Sequence, residues 1–412
     1  MTALAAPPLA DVGIIAFVPE EWENIGSTRY YVLTRLSRYF RVVWLNPSFG
    51  WRELWRGSQA AEFGRAYRQE VLPGLTVYNP GRWLPEVWSP RWVGRLVRRE
   101  RLRRARRILE AQGCHKILLS IWLPEWAYAL DLVDHDLSVY HIVDEYTFAD
   151  TEHPVPAAEA RLISRVDQVF LTSAELFAKK GPLNPNSQYV SNGVEFRAFA
   201  TPVSEPEDLR AIPRPRIGYV GVVKPQLDFE LLLALAKRHR EWSFVMVGPR
   251  QKLDSVAALV TQLEALPNVH FLGSKPVDTL PAYAQHLDVC TLGYALTGYT
   301  KFIYPLKLHE YLATGRPVVG TPIPALEPFR EVVRLAATLD DWSEALEESL
   351  KPEAMAPAKV ARRLAVARAH DWDHLVERMA GRLCERLGPS FSKRFQMLEA
   401  ARATVIPNGG NP

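Results

Sequence analysis

A chain of 412 residues, 48% hydrophobic and 23% charged, exceeds what one hydrophobic core usually fills, so two folded domains are expected and a disordered or fibrous chain is excluded. Net charge is only +4, and the widely spaced Cys114, Cys290 and Cys384 suggest neither a disulfide framework nor a zinc site, so all three read as packing residues. No apolar run approaches the roughly 20 residues that span a bilayer, and residues 1–10 lack the basic start and apolar stretch of a signal peptide, which predicts a cytoplasmic protein.

Along the chain, short β-rich runs alternate with helical stretches, the pattern of parallel sheets covered on both faces. Residues 13–17 and 42–45 read as strands flanking a helix at 30–39, and 116–120, 139–143 and 168–172 continue the set. Nine arginines lie between Arg91 and Arg107 with Glu100 as their only acidic neighbour, and Trp83, Trp88 and Trp92 precede or enter the run. That stretch reads either as a solvated helix or as a surface for anionic lipid, toward which each arginine contributes about 1 kcal/mol. The second reading places the protein peripherally at the inner face of the membrane. No nucleic-acid module accompanies the arginines, so nucleic acid is not an expected partner.

The Pro-rich, charged stretch 201–215 reads as a linker. Beyond it, 216–220, 243–247, 269–272 and 289–292 read as strands alternating with helices, followed by a helix at 306–314 that stops at Gly315 and a strand at 317–320. The expected fold class is therefore α/β, with two doubly wound Rossmann-like domains facing a cleft: 1–200, then 216–370. Ligands of such sheets sit beyond the carboxyl ends of the strands. There the chain carries Tyr304-Pro-Leu-Lys-Leu-His-Glu-Tyr-Leu-Ala-Thr-Gly-Arg-Pro-Val-Val-Gly-Thr321. The amides and dipole at the start of its helix, around Pro305, Leu306 and Leu308, favour an anion. Lys307 adds a point charge, and Glu310, one turn on, can accept two hydrogen bonds from a ribose diol. The spacing of Lys307 and Glu310 equally allows an ordinary helical ion pair.

This string resembles the donor-site signature of glycosyltransferase family four. Four further stretches, all in the family's order, are similar to its landmarks: Val190-Ser-Asn-Gly-Val-Glu195, Ile217-Gly-Tyr-Val-Gly221, Val245-Met-Val-Gly-Pro249 and Asn268-Val-His-Phe-Leu-Gly273. Together the matches cover about residues 190–330. The resemblance implies the GT-B fold and transfer of a sugar from a nucleoside diphosphate, UDP or GDP, to an acceptor hydroxyl. It further implies retention at the anomeric carbon, no metal and no tightly bound cofactor. By analogy Glu310 would hold the donor ribose, Gly221, Lys224 and Gly248 would lie by the phosphates, and His270 and Leu272 beside the base. Residues 371–388 resemble the final helix that crosses back onto the first domain, and 389–412 are expected to form a flexible tail. Three departures stand out. Phe302 occupies the position of a family glutamate, Lys224 is the one plausible cation in the loop after Gly221, and the family's first-domain histidine has no obvious counterpart in Ile121-Trp-Leu-Pro-Glu-Trp126.

The first domain is expected to hold the acceptor, a glycan or a lipid-linked precursor. Val139-Tyr-His-Ile-Val-Asp-Glu-Tyr146 brings His141, Asp144 and Glu145 to a strand end, with Asp144 and Glu145 as catalytic candidates and helix capping as the alternative role of Asp144. The stretch resembles strand ends of transferases that build bacterial surface polysaccharides. In Trp22-Glu-Asn-Ile-Gly-Ser-Thr-Arg29, Ser27 and Thr28 suit a helix cap and Arg29 could meet an anionic acceptor. Two other activities remain open at this level: a sugar-nucleotide epimerase of the same fold and a catalytically inactive scaffold.

Overall fold

The computed structural model describes residues 6–22, 26–48, 50, 65–146 and 153–405. Among these, one sheet has eight strands in the order β3-β4-β2-β1-β5-β6-β7-β8. These are β1 (Val12–Phe17), β2 (Arg41–Leu45), β3 (Tyr67–Leu72), β4 (Leu75–Asn79), β5 (Lys116–Ile121), β6 (Leu137–Ile142), β7 (Gln168–Leu171) and β8 (Ser187–Tyr189). All pairs are parallel except β3 with β4, an edge hairpin turning at Gly74. The second sheet runs β11-β10-β9-β12-β13-β14, wholly parallel. Its strands are β9 (Arg216–Val220), β10 (Ser243–Val247), β11 (Val269–Gly273), β12 (Val289–Leu292), β13 (Val318–Gly320) and β14 (Arg334–Leu335). Strand order reverses between β1 and β5 in the first sheet and between β9 and β12 in the second, and each reversal opens a crevice.

Helices cover both faces: α1 (Thr28–Leu36), α2 (Arg91–Ala111), α3 (Ala157–Arg165) and α4 (Ala174–Lys180) in the first domain, and α5 (Phe229–Arg238), α6 (Ala257–Glu264), α7 (Leu280–Gln285), α8 (Leu306–Ala313), α9 (Leu339–Leu350) and α10 (Pro357–Ala369) in the second. The near-continuous burial of β1, β6, β9 and β10 is what a sheet covered on both faces requires. Then α11 (Trp372–Leu387) returns to the first domain, where Trp372, Leu375, Val376, Met379 and Leu383 join its core. The two crossing segments run side by side, the Val194 amide bonding the His370 carbonyl at 3.0 Å and the Trp372 amide the Val194 carbonyl at 3.0 Å.

One expectation is corrected. The segment from residue 389 is not a free tail: α12 (Pro389–Val405) packs on α11, buries Phe395 against Tyr39 and ties Arg394 to both carboxylate oxygens of Asp11 at 2.7 Å. Phe391, Phe395 and Leu398 recur at helical spacing and reach the first-domain core, which gives this helix its apolar stripe. The remainder, 406–412, lies outside the described residues. The 201–215 stretch expected as a linker carries a short helix, Glu207–Arg210, and sinks Leu209 and Ile212 into the second core.

Candidate functional site

Three glycines at the carboxyl ends of β9, β10 and β11 shape the floor of the cleft. The Gly221 amide bonds the Val247 carbonyl and the Gly248 amide the Gly273 carbonyl, both at 2.8 Å. Gly248 sits at φ +139°, and a Cβ there would lie 2.1 Å from the Gly221 oxygen, so no other residue fits without moving the backbone. The helix α8 begins after Pro305 with no side chain capping it, which leaves its first amides without a side-chain acceptor. Tyr311 fixes the helix there by accepting the Val220 amide at 2.7 Å. Leu308 is wholly buried and Leu306 half-buried against the first-domain core, so these residues serve the site through backbone and packing. His270 and Leu272 lie on β11, both half-buried; burial holds the His270 imidazole below its usual value.

Lys307 lies across Gly221, where an added Cβ would stand 2.6 Å from its Cε, and its ammonium is 3.3 Å from Glu310. Glu310 is buried near Tyr31, Tyr219 and Tyr294, whose hydroxyls are pushed up chiefly by burial and further by the Glu310 charge. Lys224 enters from the loop after β9; burial lowers its pKa and so does Lys307, while Asp144 raises it. Two ammonium groups and a helix N-terminus thus face one volume.

From the first domain, Asp144 follows β6 and accepts the Tyr299 hydroxyl of the second domain at 2.8 Å. Burial holds its carboxyl above the usual range, against the pull of Tyr299, the Glu145 amide, Lys224 and Arg29. A raised carboxyl contributes stability that is complete below the unfolded value, near pH 4, and lost as pH rises through the folded value. Asp144→Asn is therefore expected to gain stability relative to the parent between pH 4 and pH 8, as read by urea unfolding across that range.

The other first-domain candidates divide. Ser27 caps α1 by accepting the Tyr30 amide and donates to Glu20 at 2.6 Å; Arg29 pairs with Glu20 at 3.3 Å and lies over Trp122. Residues 23–25 of that stretch lie outside the described residues. Thr28 donates to Asn192 at 2.9 Å, and Asn192 donates to the Tyr304 carbonyl at 2.7 Å, tying α1 to the segment that feeds α8. His141 is buried behind Trp122, stacked at 4.2 Å, and burial lowers its pKa to about 3. Glu145 is occupied elsewhere, 3.2 Å from both Lys179 and Lys180 in a buried cluster with Glu159.

Sequence reasoning missed Tyr299 and gave Asn192 no role. Asn192 was visible inside its motif, whereas Tyr299 meets a partner 155 positions away and carries no local signal. Phe302 is only 2% exposed and joins the first-domain core, with Ser173 donating to its carbonyl at 2.7 Å and the Lys179 ammonium 4.8 Å from its ring centre. At this position the chain has an interdomain anchor in place of a polar contact.

Two facing Rossmann-like domains with a C-terminal helix returning to the first define a GT-B protein. Solved structures agree: one described as trehalose-6-phosphate from E. coli bound with UDP-2-fluoro glucose superposes with a TM-score of 0.66 over 91% of this chain and 99% of that one, at 13% identity. An α,α-trehalose-phosphate synthase (UDP-forming) from Burkholderia vietnamiensis gives 0.63 over 91% and 98%, at 14% identity. Residues 214–352, within the second domain, match the family model for Glycosyl transferases group 1. Over 185 residues the chain is 31% identical to the putative teichuronic acid biosynthesis glycosyltransferase TuaH of Bacillus subtilis (strain 168). That match covers 43% of this chain and 46% of the relative, about half the length of the curated protein it resembles.

Proposed function

We propose that this protein transfers a sugar from a nucleoside diphosphate, UDP or GDP, to an acceptor hydroxyl, with retention and without a metal, in the assembly of a cell-surface polysaccharide or glycolipid. The observation that carries this reading is the convergence of Lys224, Lys307 and the uncapped start of α8 on one volume above Gly221, with Glu310 one turn behind. As the bond from the anomeric carbon to the diphosphate breaks, negative charge gathers on the leaving phosphate, and two ammoniums with preorganised amides stabilise it without reorganising. Glu310 accepts the ribose hydroxyls, and its pairing with Lys307 holds both groups in place before the donor arrives. Asp144, held by Tyr299 at the seam between domains, is the carboxylate available to the reacting sugar or the acceptor hydroxyl. Glu145 takes a structural part.

Calorimetric titration with UDP, GDP and ADP tests the reading. One of UDP or GDP is expected to bind the parent protein, and Glu310→Ala to weaken it by about 10- to 100-fold, the loss of hydrogen bonds to a charged group. No binding of any nucleotide would favour the scaffold reading.

The acceptor side is proposed to work at the inner face of the membrane. Trp83, Trp88 and Trp92 are 76%, 74% and 67% exposed, the first two in the loop before α2, while Trp92 and Leu96 lie on the outer face of α2 beside the exposed Arg95, Arg99 and Arg103. Aromatic groups interleaved with arginines suit an anionic interface. No helix among the described residues is long and apolar enough to cross a membrane. Combining Arg95→Ala, Arg99→Ala and Arg103→Ala is expected to lower partition onto phosphatidylglycerol vesicles roughly a hundredfold at low salt, at about 1 kcal/mol per arginine, and less at high salt. Sedimentation with vesicles checks it.

A further inference from the structure

The far end of the second sheet carries another basic cavity. Where β13 begins, opposite the carboxyl ends that face the cleft, the turn into β14, the end of α9 and the first turns of α10 surround a solvent-open space of about 750 Å³. Arg330, Arg334, Lys359, Arg362 and Arg363 line it, and Glu331 is the one carboxylate among the lining residues. Arg330 is paired with Glu327. Glu348, whose carboxyl also feels Arg334 and Lys359, is taken by Lys351. Arg334, Lys359 and Arg362 are exposed and make no ion pair among the described residues.

Arg363 separates this cavity from an ordinary charged surface. The residue is 6% exposed, its Nε donates to the Gly315 carbonyl at 2.9 Å, and Nη2 donates to the Ala354 carbonyl at 2.7 Å. Its other terminal nitrogen, Nη1, bonds to nothing among the described residues and still keeps accessible surface. Burial lowers the pKa of this guanidinium and so does Arg316, with Cys290 alone opposing them. A buried cation without its counter-charge is costly, and the fold supplies this one with carbonyls but no carboxylate. An anion in the cavity would bring the missing charge to a nitrogen that solvent already reaches. Gly315 closes α8, so Arg363 also fastens the end of the helix whose first turn carries Lys307.

We propose that this cavity is a second anion site, away from the cleft, that takes a small, multiply charged phosphate and steadies the end of α8 through Arg363. The volume suits a small molecule, and guanidinium forks match phosphate oxygens in pairs. The site goes beyond the transferase reading and does not depend on it.

Inorganic pyrophosphate is the probe. Calorimetric titration of the full-length protein at physiological salt, with UDP or GDP first saturating the cleft, is expected to show one pyrophosphate bound per chain. Arg334→Ala and Arg362→Ala, at exposed and unpaired positions that leave folding untouched, are each expected to weaken it about tenfold, the loss of one charge-assisted contact. The triple change Arg95→Ala, Arg99→Ala and Arg103→Ala removes more charge, but from the first domain, and is expected to leave the affinity unchanged. Hydrogen exchange at 312–316 is expected to slow when pyrophosphate joins the nucleotide-bound parent, because the anion fixes Arg363 and Arg363 holds the Gly315 carbonyl. Absence of binding, weakening by the first-domain triple equal to that by Arg334→Ala and Arg362→Ala, or binding that leaves exchange at 312–316 unchanged would overturn the proposal. Should neither nucleotide bind, the transferase reading fails on its own. The same pyrophosphate titrations in a Lys307→Ala background, which weakens the cleft as an anion site, then decide the second site separately.

Discussion

Glu145→Ala is expected to destabilise the first domain by about 3–5 kcal/mol while leaving nucleotide binding in the second domain unchanged. The carboxylate lies between Lys179 and Lys180, and Lys180 is wholly buried with Glu159 as its remaining partner at 2.8 Å. Glu159 also accepts the Tyr140 hydroxyl at 3.1 Å, so β6, α3 and α4 meet in one charged knot inside the sheet's helical cover. Deleting a member leaves an ammonium in a low-dielectric interior without its counter-charge, and that uncompensated charge dominates the cost. A catalytic glutamate would behave oppositely, with stability kept and turnover lost. Urea unfolding followed by UDP or GDP titration at low urea distinguishes the two: a variant as stable as the parent but unable to turn over donor would return Glu145 to the reacting centre.

Adjacent residues with opposite fates show what the sequence could and could not say. Asp144 and Glu145 stand side by side at a strand end, and the pattern that located the strand could not tell which faced the cleft. That choice depends on Tyr299 for one and on α4 for the other, contacts made over 155 residues and from another helix. Where structure is local, the reading held. The central strands of both sheets followed from short apolar runs, and α8 from its place after a strand and loop and from Gly315 at φ +72°, while β8 and β14, three and two residues long, are too short to show a pattern. The β3–β4 hairpin escaped because β3 is an edge strand whose Arg68, Gln69 and Glu70 face solvent, which removes the apolar alternation that announces a strand. The terminal helix α12 escaped for a different reason: its apolar stripe is only Phe391, Phe395 and Leu398, of which Phe395 alone is fully buried, too sparse to announce a packed helix beside the polar Pro-Asn-Gly-Gly-Asn-Pro ending.

Phe302→Glu, which installs the glutamate that the resemblance implies at this position, is expected to cost about 3–5 kcal/mol, the range for removing a buried phenylalanine, and to loosen the seam between the domains. The ring sits in the first-domain core although its chain segment belongs to the second domain, so it works as a peg across the cleft. Two hydrogen bonds flank the peg, Tyr299 to Asp144 at 2.8 Å and Asn192 to the Tyr304 carbonyl at 2.7 Å, and Ser173 holds the Phe302 carbonyl itself. The whole segment leading into α8 is thereby registered against the first domain, and with it the Lys307 and Glu310 pair. A carboxylate in this apolar cluster would be desolvated, and the adjacent Lys179 is already engaged with Glu145. Hydrogen exchange is therefore expected to rise at 296–305 in the variant, and nucleotide affinity to fall through loss of preorganisation although residue 302 touches no nucleotide. A variant that keeps parental stability and binds a nucleotide-sugar more tightly than the free nucleotide would instead mean that the segment can turn outward. Residue 302 would then reach the donor sugar, and the peg would be only one of two states of the loop.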